Sequence, residues 1–453
     1  MSNVNPNYRH RSLFGPLVLV AVGVLFLLRN MGVISYRNLG WWFSRYWPML
    51  LIVWGVVKLC EQLWARKKGY PPPRIGAGGV VFLVFLVMIG LGASRARGVN
   101  WSGVGEEFDV NGDNFFEMFG NHYEFTNTFS QAMEPGKQVK VILSHGDVSV
   151  TPSSDDQTHV IVHKVLTSDS ENDAKDLNAT TNPKFEQQGS AWILDLTGDK
   201  FTHGRFNLDV QLPRNSPVSL VTHRGDINVS DRGANVDLET DRGNIFAENI
   251  KGDASVQLRR GNLTVKKVDG NVTVSGSVSE TEISDVTGSL ALNGNYWSAT
   301  QLARIAKQVS FKSDRTDLKF AKLEGDLTME RGSLRASSLD GPFRLRTSSK
   351  SIELEKLDGD VQIEDSNAPV ELHLKAPLGR IDVDNRRGQI IVEVPENSGF
   401  QVDAESNYGN IQSDFDLTVN NSNRDATARG TVGKGGPQIH LRTERGTIQI
   451  RKD

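Results

Sequence analysis

The sequence predicts a mainly β protein: a parallel β-solenoid, β-helix-like, with about 18 residues per coil, an α+β amino-terminal cap, and a helical transmembrane region before it. Three observations carry this prediction. Gly225, Gly243, Gly252, Gly261 and Gly270 stand at multiples of nine from one another, with Ala234 in the vacant step. Apolar residues recur two and four places after each of these positions. Three uncharged apolar runs fall within the first 98 of 453 residues.

Within each step the apolar pairs are Ile227 and Val229, Val236 and Leu238, Ile245 and Ala247, Leu263 and Val265, Val272 and Val274; the Gly252 step offers Ala254, Val256 and Leu258. Strand side chains alternate between faces, so offsets of two and four point the same way, into a stacked core. Asn228, Asp237, Thr264 and Thr273 lie between them and face water. Arg-Gly-Asp, Arg-Gly-Asn and Asp-Gly-Asn clusters have the turn chemistry of corners. One step is a strand plus a corner, and two steps make a coil. A run of antiparallel hairpins is the alternative, but hairpin register demands no constant period.

The elements follow in order. Val139 to Val150 and Val160 to Leu166 alternate like strands, Ser168 followed by Glu171 resembles a capping box opening a helix through Ala179, and Trp192 to Leu196 and Phe206 to Leu212 are strand-like again. Residues 139–215 are expected to cap the first open edge of the solenoid, which occupies 216–453. The period blurs from Ser279 to Gln308, where Asn293 to Trp297 suggest a protruding loop. It returns at Gly332, Gly341, Lys350 and Gly359, and later coils are expected at Gly388, Gly409 and Gly446.

Residues 13–28, 47–59 and 76–93 are the expected membrane spans of a region covering 1–98, with Trp41, Trp42, Phe43, Tyr46 and Trp47 at a headgroup level. Those 98 residues carry twelve Lys and Arg against the single acid Glu61, so the rest carries 39 bases against 53 acids and is net −14. An acidic domain of this kind is not a nucleic-acid binder. Loop bases total six on the amino-terminal side and five on the other, which places the amino terminus inside and the acidic domain outside. Residues 99–138, rich in Phe as well as Gly and Asn, form a juxtamembrane connector that either lies on the membrane or packs on the first coil.

Few residues suggest chemistry. Arg224, Arg242 and Arg260, spaced by 18, are the candidate ligand-binding ridge: one column, about 4.8 Å per layer, suited to an anionic polymer or to simple solvation. Arg224-Gly225-Asp226 spells a receptor-binding tripeptide, yet the same corner recurs as His-Gly-Asp at 145 and Arg-Gly-Asn at 242 and 260, so it is read as a turn. His159 and His163 lie on strand sequence, where four residues span about 13 Å, too far for one metal ion. Asp382 and Asp384 share a strand face at about 6.6 Å, near the carboxylate spacing of inverting glycosidases, without a convergent set of partners in sequence. Asp109, Asn111 and Asp113 lack the glycine and the terminal acid of a calcium loop. Cys60, the only cysteine, excludes a disulfide within the chain and is read as apolar filler. No catalytic residue, metal or cofactor is expected.

Gly15 to Asn30 and Tyr46 to Gly55 resemble the membrane region of the Lia-type (LiaI/LiaF-like) envelope-stress proteins of bacteria. The segment from about 139 onward, with Arg224 to Val229, Gly399 to Ala404 and Gly409 to Ser413, resembles the DUF4097-like adhesin domain of unknown function. The resemblance implies a bacterial cytoplasmic-membrane protein with its carboxyl-terminal domain outside, partnered by the membrane and by envelope membrane proteins or an anionic surface polymer. Sensing and interaction is the expected function; adhesion or polymer binding, and then a polysaccharide-acting enzyme at Asp382 and Asp384, are the alternatives.

Overall fold

The computed structural model describes residues 121–453 other than 135, 156, 169, 203 and 423, together with Met49. The three apolar runs, Cys60 and the Asp109 to Asp113 stretch lie outside the described residues. Among those described, no helix is long and apolar enough to cross a membrane. What is described beyond Asn121 is mainly β, a nearly closed solenoid with two sheet faces and one continuous apolar core between them.

The amino-terminal part contains β1 (Asn121–Gln131), β2 (Gln138–His145), β3 (Val148–Pro152), β4 (Thr158–Ser168), helix α1 (Glu171–Thr180), β5 (Phe185–Gln188), β6 (Ala191–Leu196) and β7 (Gly204–Leu212). Strands β2 and β3 already form a coil, one on the front face and one on the back. On the front, β6 pairs with β2 and β5 with β6; on the back, β7 pairs with β3, β4 with β7 and β1 with β4. Both faces are thereby extended toward the amino-terminal end. Strand β1 falls within the stretch read as a connector and packs Phe125 and Phe129 against the core. The helix is capped by Ser170, whose hydroxyl accepts from the Asp173 N–H at 3.2 Å, two residues later than the Ser168 cap expected from sequence.

Regular coils follow: β8 (Val218–Arg224) with β9 (Ile227–Arg232), β10 (Val236–Arg242) with β11 (Ile245–Ile250), β12 (Ala254–Leu258) with β13 (Leu263–Val268), and β14 (Val272–Val278) with β15 (Thr281–Val286). Each strand pairs in parallel with the strand 18 residues on, as Val236↔Ala254 and Ile245↔Leu263 show. The inward offsets are the buried ones, including Val229, Leu238, Val265 and Val274. At the near edge, where the front face passes to the back, Gly225 and Gly243 have φ of 143° and 151°. A Cβ on Gly243 would sit 2.0 Å from the Gly225 carbonyl oxygen, so layer spacing itself demands glycine there.

Asn293 to Trp297 do not form the protruding loop that the blurred period suggested. Asn293 to Tyr296 belong to β16 (Leu290–Tyr296), which stacks on β14 with Val278↔Tyr296 in register. The period blurred because one residue is added: Thr281 pairs with Thr300 of β17 (Thr300–Ile305), and Leu290 with Val309 of β18 (Val309–Lys312). A larger departure comes next. Strand β19 (Asp317–Phe320) turns back along β18, and β20 (Lys322–Met329) runs antiparallel to β17, so one whole layer is reversed. The solenoid is therefore not parallel throughout; two tight hairpins replace the crossing corners here, with Ser313 and Thr316 closing the first.

Strands β21 (Ser333–Asp340) and β22 (Phe343–Arg346) restore the original direction, and β23 (Ser351–Asp365) and β24 (Val370–Arg387) each make a complete coil. Beyond them lie β25 (Ile390–Val394), β26 (Phe400–Ser406), β27 (Ile411–Ser413), β28 (Thr418–Asn421), β29 (Ala426–Val432), β30 (Gln438–Arg445) and β31 (Ile448–Lys452). Their stacking departs from chain order. The last coil, β30 and β31, lies between β24 with β25 on one side and β26 with β27 on the other. The β28–β29 hairpin covers the front face beyond β26.

Candidate functional site

The near edge gathers the front-to-back corners of the regular coils, and it is where the candidate ridge falls. Arg224 lies opposite Arg242 in register, and the Gly243 N–H bonds the Arg260 carbonyl at 3.0 Å, so the three arginines follow one another layer by layer. His145 continues the column toward the amino-terminal end, opposite Arg224. Burial, and then the neighbouring Arg242, push the Arg224 guanidinium below its ordinary pKa. Arg242 and Arg260 are exposed and have no ion pair among the described residues. Beside them, Asp241 accepts from His223 at 2.9 Å and pairs with Arg259 at 3.2 Å.

A second ladder explains the residue after each glycine. The Asp147 carboxylate accepts the Asp226 N–H at 2.9 Å, Asp226 accepts from Asn244 at 2.7 Å, and the Asn244 side-chain oxygen accepts from Asn262 at 3.0 Å. Asp226 is thus bound into the corner, as a turn reading of Arg224-Gly225-Asp226 requires. The far edge repeats the device with Asn235, Asp253 and Asn271.

Sequence spacing missed a second arginine pair on the same edge. Arg387 lies opposite Arg445, with the Gly388 N–H bonded to the Arg445 carbonyl at 3.0 Å. The two are 58 residues apart, no multiple of the coil, because the intervening coil stacks outside them. Exposed Tyr408 continues this column, its ring 5.8 Å from the Arg445 guanidinium.

Other candidates separate. His159 bonds Asp155 at 2.9 Å and Ser130 at 2.8 Å, whereas His163 faces Asp209 at 3.4 Å. Among the described residues no group of three His, Cys, Asp or Glu side chains is placed to hold a metal ion. Asp382 and Asp384 both face outward on the front sheet; Asp382 lies between Gln362 and His440, and Asp384 between Glu364 and Arg442. Those cross-strand neighbours, 20 and 58 residues away, were invisible to a local reading.

Three buried cations were also missed. Lys164 donates to Asn178 and Asn182 side-chain oxygens at 3.0 Å and to the Asn178 carbonyl at 3.1 Å, and burial lowers its pKa to about 8. Arg232, 1% exposed, donates to the carbonyls of Leu212, Pro213 and Ser216, tying the first regular coil to the end of β7. Lys350 donates to the carbonyls of Glu330 and Arg331, pinning the second hairpin of the reversed layer. In sequence each is one Lys or Arg among 51, with no local mark of burial.

A family model described as Toastrack DUF4097 matches residues 137–451, and one described as the LiaI-LiaF-like transmembrane region matches residues 13–59. No curated protein matches the chain. Among solved structures it is similar to a "putative cell adhesion protein" from Clostridium sporogenes ATCC 15579, at 11% identity over 73% of this chain and 100% of that one, with a TM-score of 0.15. A "putative adhesin" from Bacteroides fragilis NCTC 9343 has 11% identity over 73% of this chain and 97% of that one, with a TM-score of 0.19. Another from Parabacteroides merdae ATCC 43184 has 10% identity over 72% and 95%, also with a TM-score of 0.19. At such scores these likenesses carry no argument.

Proposed function

Because this chain belongs to the Toastrack DUF4097 family, we propose that it is a non-enzymatic, membrane-anchored protein of the bacterial envelope, displaying its solenoid outside the cytoplasmic membrane as a sensing and interaction module in envelope-stress response. Residues 1–98 are its anchor, with spans at 13–28, 47–59 and 76–93; 99–138 lead to the cap at 139–215 and the solenoid at 216–453. Membrane association is supported by the match of residues 13–59 to the LiaI-LiaF-like transmembrane region.

The recurrence of arginine corners on one edge carries the interaction reading. Arg224, Arg242 and Arg260 in the first half and Arg387 and Arg445 in the second project from the same edge of an otherwise acidic domain. Like charges one layer apart repel, and an anionic partner relieves that repulsion with charge-assisted, bidentate contacts. The same ridge favours a second reading, adhesion to an anionic surface polymer.

Affinity capture of the intact protein from its native membrane after mild crosslinking tests the proposal. Recovery of envelope membrane proteins, reduced at least ~10-fold when Arg224, Arg242 and Arg260 are all replaced by Ser, is the expected result; a ~1.4 kcal/mol loss of binding gives that factor. Retention of surface polymer alone, lost in the same variant, moves the assignment to adhesion. Equal capture by wild type and variant removes the ridge from the function. Reporter fusions at Ser94 and Asp453 test the topology: cytoplasmic reporter activity at both sites reverses the orientation.

A further inference from the structure

The reversed layer leaves a notch in the near edge. Strands β18 and β20 do not cross there; each turns back on its own face, at 313–316 and at 330–332, so two successive layers lack a corner. The result is a cleft of about 300 Å³ bounded by the corner at Trp297 on one side and the corner at 347–350 on the other. Its floor is apolar: Tyr296 packs on Phe311 with ring centroids 4.9 Å apart, beside buried Met329. Its wall is Trp297, 71% exposed, the most exposed large apolar side chain among the described residues.

Trp297 stands one position past Tyr296 in the column where earlier coils have Gly261 and Ser279. An indole in that place adds nothing to the core. The Arg315 and Arg331 side chains flank the cleft, both exposed and neither in a side-chain ion pair or hydrogen bond among the described residues; with buried Lys350 they set three cations against Asp314 and Glu330. Tyr296 is one of the lining residues, while its hydroxyl is buried away from solvent and lacks a hydrogen-bond partner.

We propose that this notch is a saccharide-binding site, seating a sugar ring with its C–H face on the Trp297 indole and its hydroxyls toward Arg315 and Arg331. An aromatic face presents a flat apolar surface, and guanidinium and carboxylate groups together serve hydroxyls that both donate and accept. Two carboxylates set among the cations disfavour a polyphosphate, and a single exposed apolar side chain is too little for a hydrophobic peptide or an acyl chain. The volume lies at the lower end of the small-ligand range, which suits one or two rings of a longer glycan. The inference rests on the domain being a displayed binding module, and adds to the arginine ridge a separate site with its own ligand class.

The test uses the full-length chain in lipid nanodiscs, titrated by calorimetry with chitohexaose, cellohexaose, maltohexaose and oligogalacturonate. At least one is expected to bind, with Trp297→Ala weakening it at least 10-fold and the Arg315→Ala, Arg331→Ala double variant weakening it similarly, while circular dichroism of each variant stays that of wild type. The Arg224→Ser, Arg242→Ser, Arg260→Ser variant should bind the same sugar unchanged even where it loses captured proteins. Selectivity for the amino-sugar, neutral or uronate probe then names the glycan. Binding of none of the four, or equal binding by the Trp297→Ala variant, overturns the site while leaving the ridge standing. Loss of the sugar in the triple-serine variant alone overturns it too, by placing the glycan on the ridge.

Discussion

The coils from Val218 to Lys312 and those from Ser333 to Lys452 share one core and one circulation of the chain, yet only the first set stacks in chain order. In the first set, every layer rests on the layer just made, so contacts are local and the period survives in the sequence. In the second, β30 and β31 are wedged between strands 37 and 58 residues behind them. Inserting a layer late means that β26 and β27 have no parallel neighbour until the carboxyl terminus arrives. Repeat architecture therefore does not imply stepwise, nearest-neighbour assembly.

The largest expected effect follows from that wedge. A chain ending at residue 436 lacks the layer that carries Ile439, Leu441, Ile448 and Ile450, all fully buried, and leaves two faces of the gap bare. Trimming a terminal layer of an ordered stack exposes one face and is tolerated better. Limited proteolysis should find residues 390–436 degraded in the truncated chain while 218–312 stay protected; protection of both would mean that the second half closes without its last coil.

Single glycines sharpen the contrast. A Cβ on Gly243 meets the Gly225 carbonyl oxygen at 2.0 Å, and one on Gly446 meets the Gly388 carbonyl oxygen at 2.0 Å, whereas Gly332 has nothing within 4 Å. Gly243→Ala and Gly446→Ala should each cost about 3 kcal/mol, and Gly332→Ala less than about 0.5 kcal/mol. Urea midpoints of the purified chain in detergent measure all three. A neutral Gly446→Ala beside a damaging Gly243→Ala would remove the wedged layer and keep the ordered half.

How much of this was legible follows the same division. Offsets of two and four from each glycine identified Val229, Leu238, Val265 and Val274 as inward, because in the ordered half the period is the stacking vector itself. The spacing of 18 likewise placed Arg224, Arg242 and Arg260 in one column. Arg387 and Arg445 escaped, since their alignment depends on a coil stacked out of order. The Trp297 notch escaped for a related reason: it is made by two layers that fail to cross, and an extra residue before Thr300 looks in sequence like a loop.

The last prediction concerns what the irregular parts must bury. Buried cations occur at Lys164 in the cap, Arg232 at its joint with the first regular coil and Lys350 beside the reversed layer, whereas the ordered coils beyond that joint, from Val236 to Ile305, bury only Thr and Ser among their polar side chains. Lys164 lies against the carboxyl-terminal end of α1, where carbonyl oxygens favour a cation, but burial dominates and lowers its pKa from 10.5 to about 8. Below pH 8 the folded and unfolded chains both hold this proton, and the group makes stability no function of pH. Between about 8 and 10.5 the unfolded chain still binds a proton that the folded chain has released, so stability rises with pH through this window. Other lysines and tyrosines titrate nearby, so the measurement is a difference: wild type should gain about 1 to 3 kcal/mol on Lys164→Met as pH climbs from 7.5 to 10.5. Urea midpoints of both chains at matched ionic strength give that difference directly. A constant gap across the window would show that the Asn178 and Asn182 oxygens hold Lys164 charged as firmly as water does, and that the cap buries its cation at no cost the ordered coils avoid.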